Sequence, residues 1–203
     1  MTAIKNIDVF DLNVEDHKEE IKIDTGFIQT FTGKKFYPLI PKIEDIDIID
    51  MAHSLARTCR FSGHVNAKHY SVAQHCVYVS YNCKSKFAGL LHDGSEYILQ
   101  DFPSPLKRLP EFSIYRTYEK KLQDMIYTKF GLDTLEPVDV KQSDLRMLAT
   151  EVRDLMRPSN CWSNLLEPYS FIVDPLTSED AEQLFLTRFY ELYEKHINKT
   201  QGQ

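Results

Sequence analysis

The spacing of apolar residues predicts helices along most of the chain. Apolar positions recur every three to four residues after Pro41, in stretches near 46–56, 71–82, 85–99, 113–130, 139–156 and 177–197. Asp45 or Asp47 is the expected cap of the first helix, and Ser71 with Gln74 forms a capping box for the second. In the helix at 139–156, the predicted core positions are Leu145, Leu148, Val152 and Leu155. Five or six helices are therefore expected.

One early segment departs from this helical pattern. Residues Thr25 to Pro41 combine glycines and prolines with aromatic and β-branched residues, which is typical of a small hairpin. The stretch Asn13 to Lys22 has weak periodicity and is interpreted as a short surface helix or a loop. Because no strand–helix–strand alternation follows, the sequence predicts an all-α helical bundle with a small extended element near the N-terminus.

Length and composition predict one ordinary globular domain. The 203 residues are 42% hydrophobic and 27% charged, so we expect a single domain over 1–203, with a core at about 25–156 and a final helix at about 177–197. No apolar run reaches the ~20 residues of a membrane span, and no signal peptide is seen, so a cytoplasmic location is expected. The four cysteines include no C-x-x-C pair and are interpreted as free thiols.

Charge narrows the class of ligand. A formal net charge of -6 argues against binding to a nucleic-acid polymer, because neutralising many phosphates needs an excess of Lys and Arg. A small anionic substrate remains compatible with this charge, since it requires only a few local cations or a bound metal ion.

An adjacent pair, His92-Asp93, suggests metal chemistry within the third predicted helix. Glu96 lies one turn after His92, so these side chains are expected on one flank of the helix. Together with His75 and Asp144, the pair gives two imidazoles and two carboxylates, a set that favours a divalent ion such as Mn, Co, Mg, Zn or Fe. The residues alone also allow a second interpretation, in which His75 is an ordinary helix histidine, His92-Asp93 a surface pair and Asp144 part of a helix N-terminus.

Four pieces of sequence, taken together, resemble HD-domain phosphohydrolases. They are R-F-S-G-H at 60–64, Y-S-V-A-Q-H at 70–75, G-L-L-H-D-G-S-E-Y at 89–97 and D-F-P-S-P-L-K at 101–107. The resemblance covers about residues 25–156 and is closest to bacterial and phage 5′-deoxynucleotidase-like enzymes. It implies an all-helical core that holds one divalent ion.

The resemblance also implies the ligands of that ion. The first His, the HD pair and the late Asp of the family correspond to His75, His92, Asp93 and Asp144. Asp139 and Glu151 compete for the last position, because the late helix has several acidic residues. Asp144 is preferred for its place about one turn into that helix.

Four further residues match positions near the substrate. Glu96 corresponds to the acid that aligns or deprotonates the attacking water, and its alternative role is a solvated helix residue. Asp101 corresponds to a general acid toward the leaving 5′-oxygen, and its alternative is a turn residue. Arg60 matches a phosphate-binding arginine, whose planar fork suits phosphate oxygens. Lys107 is a weaker phosphate candidate that is nearly as well explained as a solvated lysine.

The expected function is hydrolysis of the ester at the 5′ carbon of a deoxynucleotide. The motifs and length are similar to those of phage enzymes that release triphosphate from dATP, and also to monophosphate-specific 5′-deoxynucleotidases. A non-catalytic nucleotide-binding regulator with the same fold is the competing class.

The loop at 157–171, which contains Trp162, is expected to pack on the core or cover a base. Homo-oligomerisation is expected from the resemblance and from the aromatic final helix, whose Phe185, Phe189 and Tyr193 pack either internally or against a partner.

Overall fold

The computed structural model describes residues 26–159 and 161–201, and this part of the protein is all-α. Helices account for 59% of it and strands for 3%. The predicted stretch Asn13 to Lys22 lies outside the described residues. The hairpin is present, formed by antiparallel strands β1 (Ile28–Gln29) and β2 (Lys35–Phe36). Asp50 holds its turn by accepting hydrogen bonds from the backbone N–H and the hydroxyl of Thr32, at 2.7 and 2.9 Å.

The first two helices begin at side-chain caps. Helix α1 (Ile48–Arg57) is capped by Asp47, which accepts from the backbone N–H of Ile49. Helix α2 (Val72–Asn82) is capped by Ser71, which accepts from the backbone N–H of Gln74 at 3.1 Å. The second half of the predicted capping box does not form. The Gln74 amide instead bonds the backbone of Asp174 and Leu176, and so ties α2 to the loop before the last helix.

The prediction of one continuous helix over 85–99 is wrong. Helix α3 (Lys86–Leu91) and helix α4 (Glu96–Leu99) are separated by a turn. The cause is Gln123, which donates to the carbonyl of Leu91 at 2.7 Å and accepts from the backbone N–H of Ser95 at 3.0 Å. In a regular helix the N–H of Ser95 would donate to the carbonyl of Leu91. The side-chain amide of Gln123 takes both groups, so this helical hydrogen bond is lost and the helix is interrupted here.

The remaining helices are α5 (Ser104–Lys107), α6 (Ser113–Lys129), α7 (Val138–Leu155) and α8 (Ser178–Gln201). Gly131 ends α6 as predicted. It has φ +73°, its N–H bonds the carbonyl of Thr128, and the N–H of Leu132 bonds that of Tyr127, which is a Schellman motif. Helix α8 follows a cap by Thr177 and continues past the predicted end at residue 197.

Helix α2 lies at the centre of the molecule, in contact with α1, α3, α7 and α8. The aromatic face of α8 packs internally, with Phe185 and Phe189 almost completely buried. In α7, Leu155 is buried as predicted, but Leu145 is 42% exposed. The buried face of α7 includes Ser143, Thr150 and Glu151, because polar groups replace apolar ones where the helix faces α2.

Within the described residues, no helix has the length and apolar character needed to cross a membrane. All four cysteines, Cys59, Cys76, Cys83 and Cys161, are free thiols, as predicted from their spacing.

Candidate metal centre

The fold brings His75, His92, Asp93 and Asp144 together from three elements. His75 lies on the central helix α2, His92 and Asp93 lie in the turn between α3 and α4, and Asp144 lies on α7. The Nε2 atom of His75 is 3.7 Å from Oδ2 of Asp93 and 3.3 Å from Oδ1 of Asp144. The Nε2 atom of His92 is 3.3 Å from Oδ2 of Asp93. One ligand atom from each of His75, His92 and Asp93 lies within 4.8 Å of the other two.

Two ring nitrogens at this point have no hydrogen-bond partner. The Nε2 atoms of His75 and His92 are both buried, and their contacts with the nearby carboxylates lack the geometry of a hydrogen bond. A buried polar atom without a partner is costly, so such atoms in a native protein require an explanation such as an ion. Two imidazole nitrogens and two carboxylates fit a divalent cation of the borderline or hard kind.

The opposite ring nitrogens fix the orientation of both histidines. Nδ1 of His75 is 2.6 Å from Oε1 of Glu151, and Nδ1 of His92 is 2.9 Å from the carbonyl oxygen of Gly89. Tyr70 also donates to Oε1 of Glu151, at 2.8 Å. Metal-binding histidines in proteins typically donate their other N–H in this way, so both rings present Nε2 as the free ligand atom.

The turn between α3 and α4 carries both His92 and Asp93. Gly94 permits this turn to pack against α6, since a Cβ at this position would lie 2.9 Å from the carbonyl oxygen of Leu91 and 3.2 Å from the side chain of Ile126. Helical periodicity did not predict this local break.

Electrostatics at the cluster favour a cation. Burial and Arg60 lower the pKa of His75, but Glu151 and Asp144 outweigh them and raise it to about 9. Burial would raise the pKa of the Asp144 carboxyl, yet His75 and His92 hold it well below its usual range. Asp93 behaves likewise, because the same histidines outweigh burial and lower its pKa. The carboxylates therefore stay ionised around a point where positive charge is stabilised.

The three acids that compete for the late position lie at different distances from the cluster. Asp139 lies away from the cluster and accepts from the backbone N–H groups of Lys84 and Ser85, at 2.7 and 2.8 Å. Glu151 lies behind His75 rather than beside its Nε2 atom. Asp144 is the residue whose carboxylate approaches Nε2. Glu151 is seven residues after Asp144, two turns along the same helix face, so spacing could have indicated its orienting role.

Glu96 and Asp101 lie together beside the cluster in one cleft. Burial, Asp93 and Asp101 raise the pKa of Glu96 well above its usual value, and its buried Oε2 has no hydrogen-bond partner. Burial also raises the pKa of Asp101 against the opposing charge of Arg60. Among the described residues no donor bonds the Asp101 carboxylate, so the alternative role as a turn residue has no supporting contact.

Arg60 and Lys107 are both engaged by carboxylates. Nε and Nη2 of Arg60 contact Oε2 of Glu151 at 3.2 and 3.1 Å, and Nη1 is 3.6 Å from Oδ2 of Asp93. The Nε and Nη2 edge of the Arg60 guanidinium, which was predicted to bind phosphate, is thus occupied by Glu151. Lys107 donates to Glu119 at 2.5 Å and lies 3.6 Å from Glu96. Sequence reasoning missed Glu119, and no spacing signal linked it to the site.

A cleft of about 700 Å³ opens onto the cluster. Its acidic floor includes Asp93, Glu96, Asp101 and Asp144, and Arg60, Arg108 and Lys141 supply positive charge. Its apolar lining includes Leu145, Leu148 and Trp162. Lys107 contributes instead to a neighbouring surface depression with Arg108 and Arg116.

The fold and the cluster define an all-α protein with a His/Asp group that could hold a metal ion. The chain is 42% identical over 176 residues to Uncharacterized protein YfdR of Escherichia coli, an alignment that spans 83% of this chain and 97% of YfdR. It is 30% identical over 122 residues to Uncharacterized protein RCAP_rcc00048 of Rhodobacter capsulatus, covering 55% of this chain and 62% of that protein. No family model matches the sequence. The chain belongs to the same family as YfdR.

Proposed function

We propose that this protein is an HD-type, metal-dependent phosphohydrolase that cleaves the 5′ phosphoester of a deoxynucleotide. The observation that carries the proposal is the pair of buried, unpartnered Nε2 atoms of His75 and His92, which meet two carboxylates at the floor of a cleft. A divalent ion shared by these nitrogens and carboxylates would give each Nε2 atom the partner that it lacks.

The ion would be held by His75, His92, Asp93 and Asp144. A bound divalent ion lowers the pKa of water and neutralises charge on a phosphoryl oxygen during in-line attack. Glu151 contributes by holding the ring of His75, and Gly89 by holding that of His92. The native ion is one of Mn, Co, Mg, Zn or Fe, since all of these accept a mixed nitrogen and oxygen set.

Glu96 and Asp101 handle the protons of the proposed reaction. Glu96 accepts a proton from the water that attacks phosphorus, and its raised pKa makes it a stronger base than an exposed glutamate. As the bond between phosphorus and the 5′-oxygen breaks, Asp101 donates a proton to that oxygen. Its raised pKa favours the protonated form needed for this step. The products are a deoxynucleoside and a phosphate or polyphosphate.

The cleft has the volume and charge for a nucleotide. Small-molecule sites typically measure about 300–1,000 Å³, and this cleft is about 700 Å³. Arg108 is a cation along the cleft that phosphate oxygens can reach. Lys141 donates to Oδ2 of Asp144 at 2.7 Å and Nη1 of Arg60 lies 3.6 Å from Oδ2 of Asp93, so these two cations would be shared between the carboxylates and a phosphate. We propose dATP as the principal substrate, with dADP and dAMP also cleaved, and a cytoplasmic location where the four thiols stay reduced. A monophosphate-specific 5′-deoxynucleotidase of broad base range is the alternative.

Product analysis tests the proposal. The purified full-length protein is incubated with each dNTP and each dNMP in Mn, Co or Mg, and again with chelator. We expect metal-dependent release of deoxynucleoside with intact triphosphate or monophosphate. Cleavage of monophosphates alone would favour the alternative substrate. Tight nucleotide binding without any turnover would contradict the proposal and indicate a non-catalytic regulator.

A double variant, His92→Ala with Asp93→Ala, supplies the control for contaminating phosphatases. Both activity and metal content should be lost while the helix content, measured by circular dichroism, stays close to that of the wild type. Full activity in this variant would show that the assigned residues do not hold the ion.

A further inference from the structure

One side of the cleft is apolar and aromatic. Leu145 and Leu148 of α7 line the cleft near Asp144, and Met156, which follows that helix, lines it as well. Trp162, in the loop after α7, and Phe61, just after Arg60, also line this side. The apolar side therefore adjoins the candidate metal centre directly rather than forming a separate cavity.

The two aromatic rings are held against each other. Their centroids are 6.3 Å apart with an interplanar angle of 88°, so the edge of one ring meets the face of the other. The guanidinium of Arg60 lies over the Phe61 ring, 5.4 Å from its centroid. Trp162 remains 39% exposed, so part of its ring surface is open to a ligand in the cleft that it lines.

The backbone at Phe61 is strained. Phe61 and Ser62 have φ of +53° and +52°, a left-handed conformation that non-glycine residues rarely adopt, least of all consecutively. Backbone strain of this kind persists only where the surrounding contacts hold it, and it is found most often at functional sites. In this conformation Arg60 contacts Glu151 and Asp93 while Phe61 reaches Trp162.

We propose that Trp162 and Phe61 bind the nucleobase of the substrate, with Trp162 stacking on the base and Leu145 and Leu148 adding apolar contacts along the same side of the cleft. This proposal rests on the proposed function for its choice of ligand. A nucleotide whose phosphate lies at the metal centre must extend its base along the cleft, and this side offers aromatic and apolar surface. Stacking is indifferent to base identity, so the clamp supplies affinity more than discrimination.

The single tryptophan of the chain makes this proposal directly measurable. Because Trp162 is the one tryptophan among 203 residues, fluorescence excited selectively in tryptophan, outside the absorption of the 11 tyrosines, reports on that position alone. The full-length protein is titrated with each of the four 2′-deoxynucleosides, and separately with 2-deoxyribose 5-phosphate, which has the sugar and phosphate but no base. We expect saturable quenching by at least one deoxynucleoside and none by the sugar phosphate.

Kinetic variants provide the second measurement. Trp162→Ala should raise KM about tenfold and leave kcat within a few-fold, since the lost stacking acts on the ground state and the transition state alike. Trp162→Phe keeps an aromatic face and should recover most of the affinity. Circular dichroism checks that each variant is folded.

The possible results separate this proposal from the proposed function. Quenching by a deoxynucleoside without turnover of any nucleotide would support base binding while contradicting phosphohydrolase activity. Metal-dependent turnover with no quenching, and an unchanged KM in Trp162→Ala, would overturn the base clamp and leave the activity standing. Quenching by the sugar phosphate equal to that by the deoxynucleosides would also overturn it.

Discussion

The two ends of helix α3 differ sharply in how they use buried space. Near its N-terminus, Phe87 packs against an aromatic cluster with Phe130, Phe189 and Tyr193, with ring centroids 5.0 to 6.4 Å apart. Beyond its C-terminus, His92 and Asp93 lie in the cluster with His75 and Asp144, where the Nε2 atoms of both histidines have no hydrogen-bond partner. One end is packed without unsatisfied polar atoms, whereas the other keeps ionised groups that burial disfavours.

This difference indicates which part stabilises the fold and which part performs chemistry. Aromatic side chains at the first end each remove a large apolar area from water and form favourable edge and stacked pairs. Burial at the second end disfavours ionised carboxylates. Glu151 nevertheless stays ionised, because the positive charges of Arg60 and His75 lower its pKa, and Glu151 in turn raises the pKa of His75. Substitutions at the two ends should therefore act on different measurable quantities.

The largest effect is expected from Asp144→Asn, which removes a proposed ligand charge. Turnover should fall by more than about a hundredfold, since losing even an orienting residue at a metal site costs 10–100-fold. The matched control is Asp139→Asn, the same change on the same helix, whose carboxylate lies away from the cluster. Metal-dependent release of deoxynucleoside measures both. Equal activity in the two variants would contradict the assignment of Asp144.

A change at the aromatic end should alter stability and leave metal binding unaffected. Phe189 is 2% exposed and contacts four other rings, so Phe189→Ala should lower the free energy of unfolding by about 3–5 kcal/mol. Urea denaturation measures this change. Phe189→Leu, which keeps much of the volume, should cost less. If Phe189→Ala weakened metal binding at temperatures where it is folded, the two ends would not be independent.

The smallest effect is expected where a carboxylate stabilises the fold away from the cluster. Asp139 accepts three hydrogen bonds from Lys84 and Ser85, and those bonds lower its pKa below the usual 3.8. Asp139→Asn keeps one carbonyl acceptor but loses the second acceptor oxygen and the charge, so it should destabilise the protein by about 1 kcal/mol, the usual net contribution of a hydrogen bond.

The pH dependence of that loss has a definite sign. A lowered pKa in the folded state stabilises the protein above the unfolded pKa, and the contribution disappears as pH falls through the folded pKa. The difference in unfolding free energy between the wild type and Asp139→Asn should thus be full near pH 6 and shrink below about pH 3.8. A difference that stayed constant with pH would show that the ionised carboxylate is not what stabilises this contact.

The sequence determined most of the helices, because their signals are local. Asp47 and Ser71 cap the first two helices as expected, and Gly131 ends α6 in a left-handed conformation that few other residues tolerate. The hairpin near the N-terminus also followed from its glycines and aromatic residues. The grouping of His75, His92, Asp93 and Asp144 was suggested by residue type and by the resemblance to HD-domain phosphohydrolases.

Only the tertiary structure decided how those residues meet. The break at His92 arises because Gln123, from a helix about thirty residues away in sequence, takes the backbone groups of Leu91 and Ser95. The exposure of Leu145 and the strained backbone of Phe61 likewise depend on a cleft formed by distant segments. Caps and periodicity act between residues within one or two turns, whereas an inserted side chain or a cleft wall exists only after separate helices have packed together.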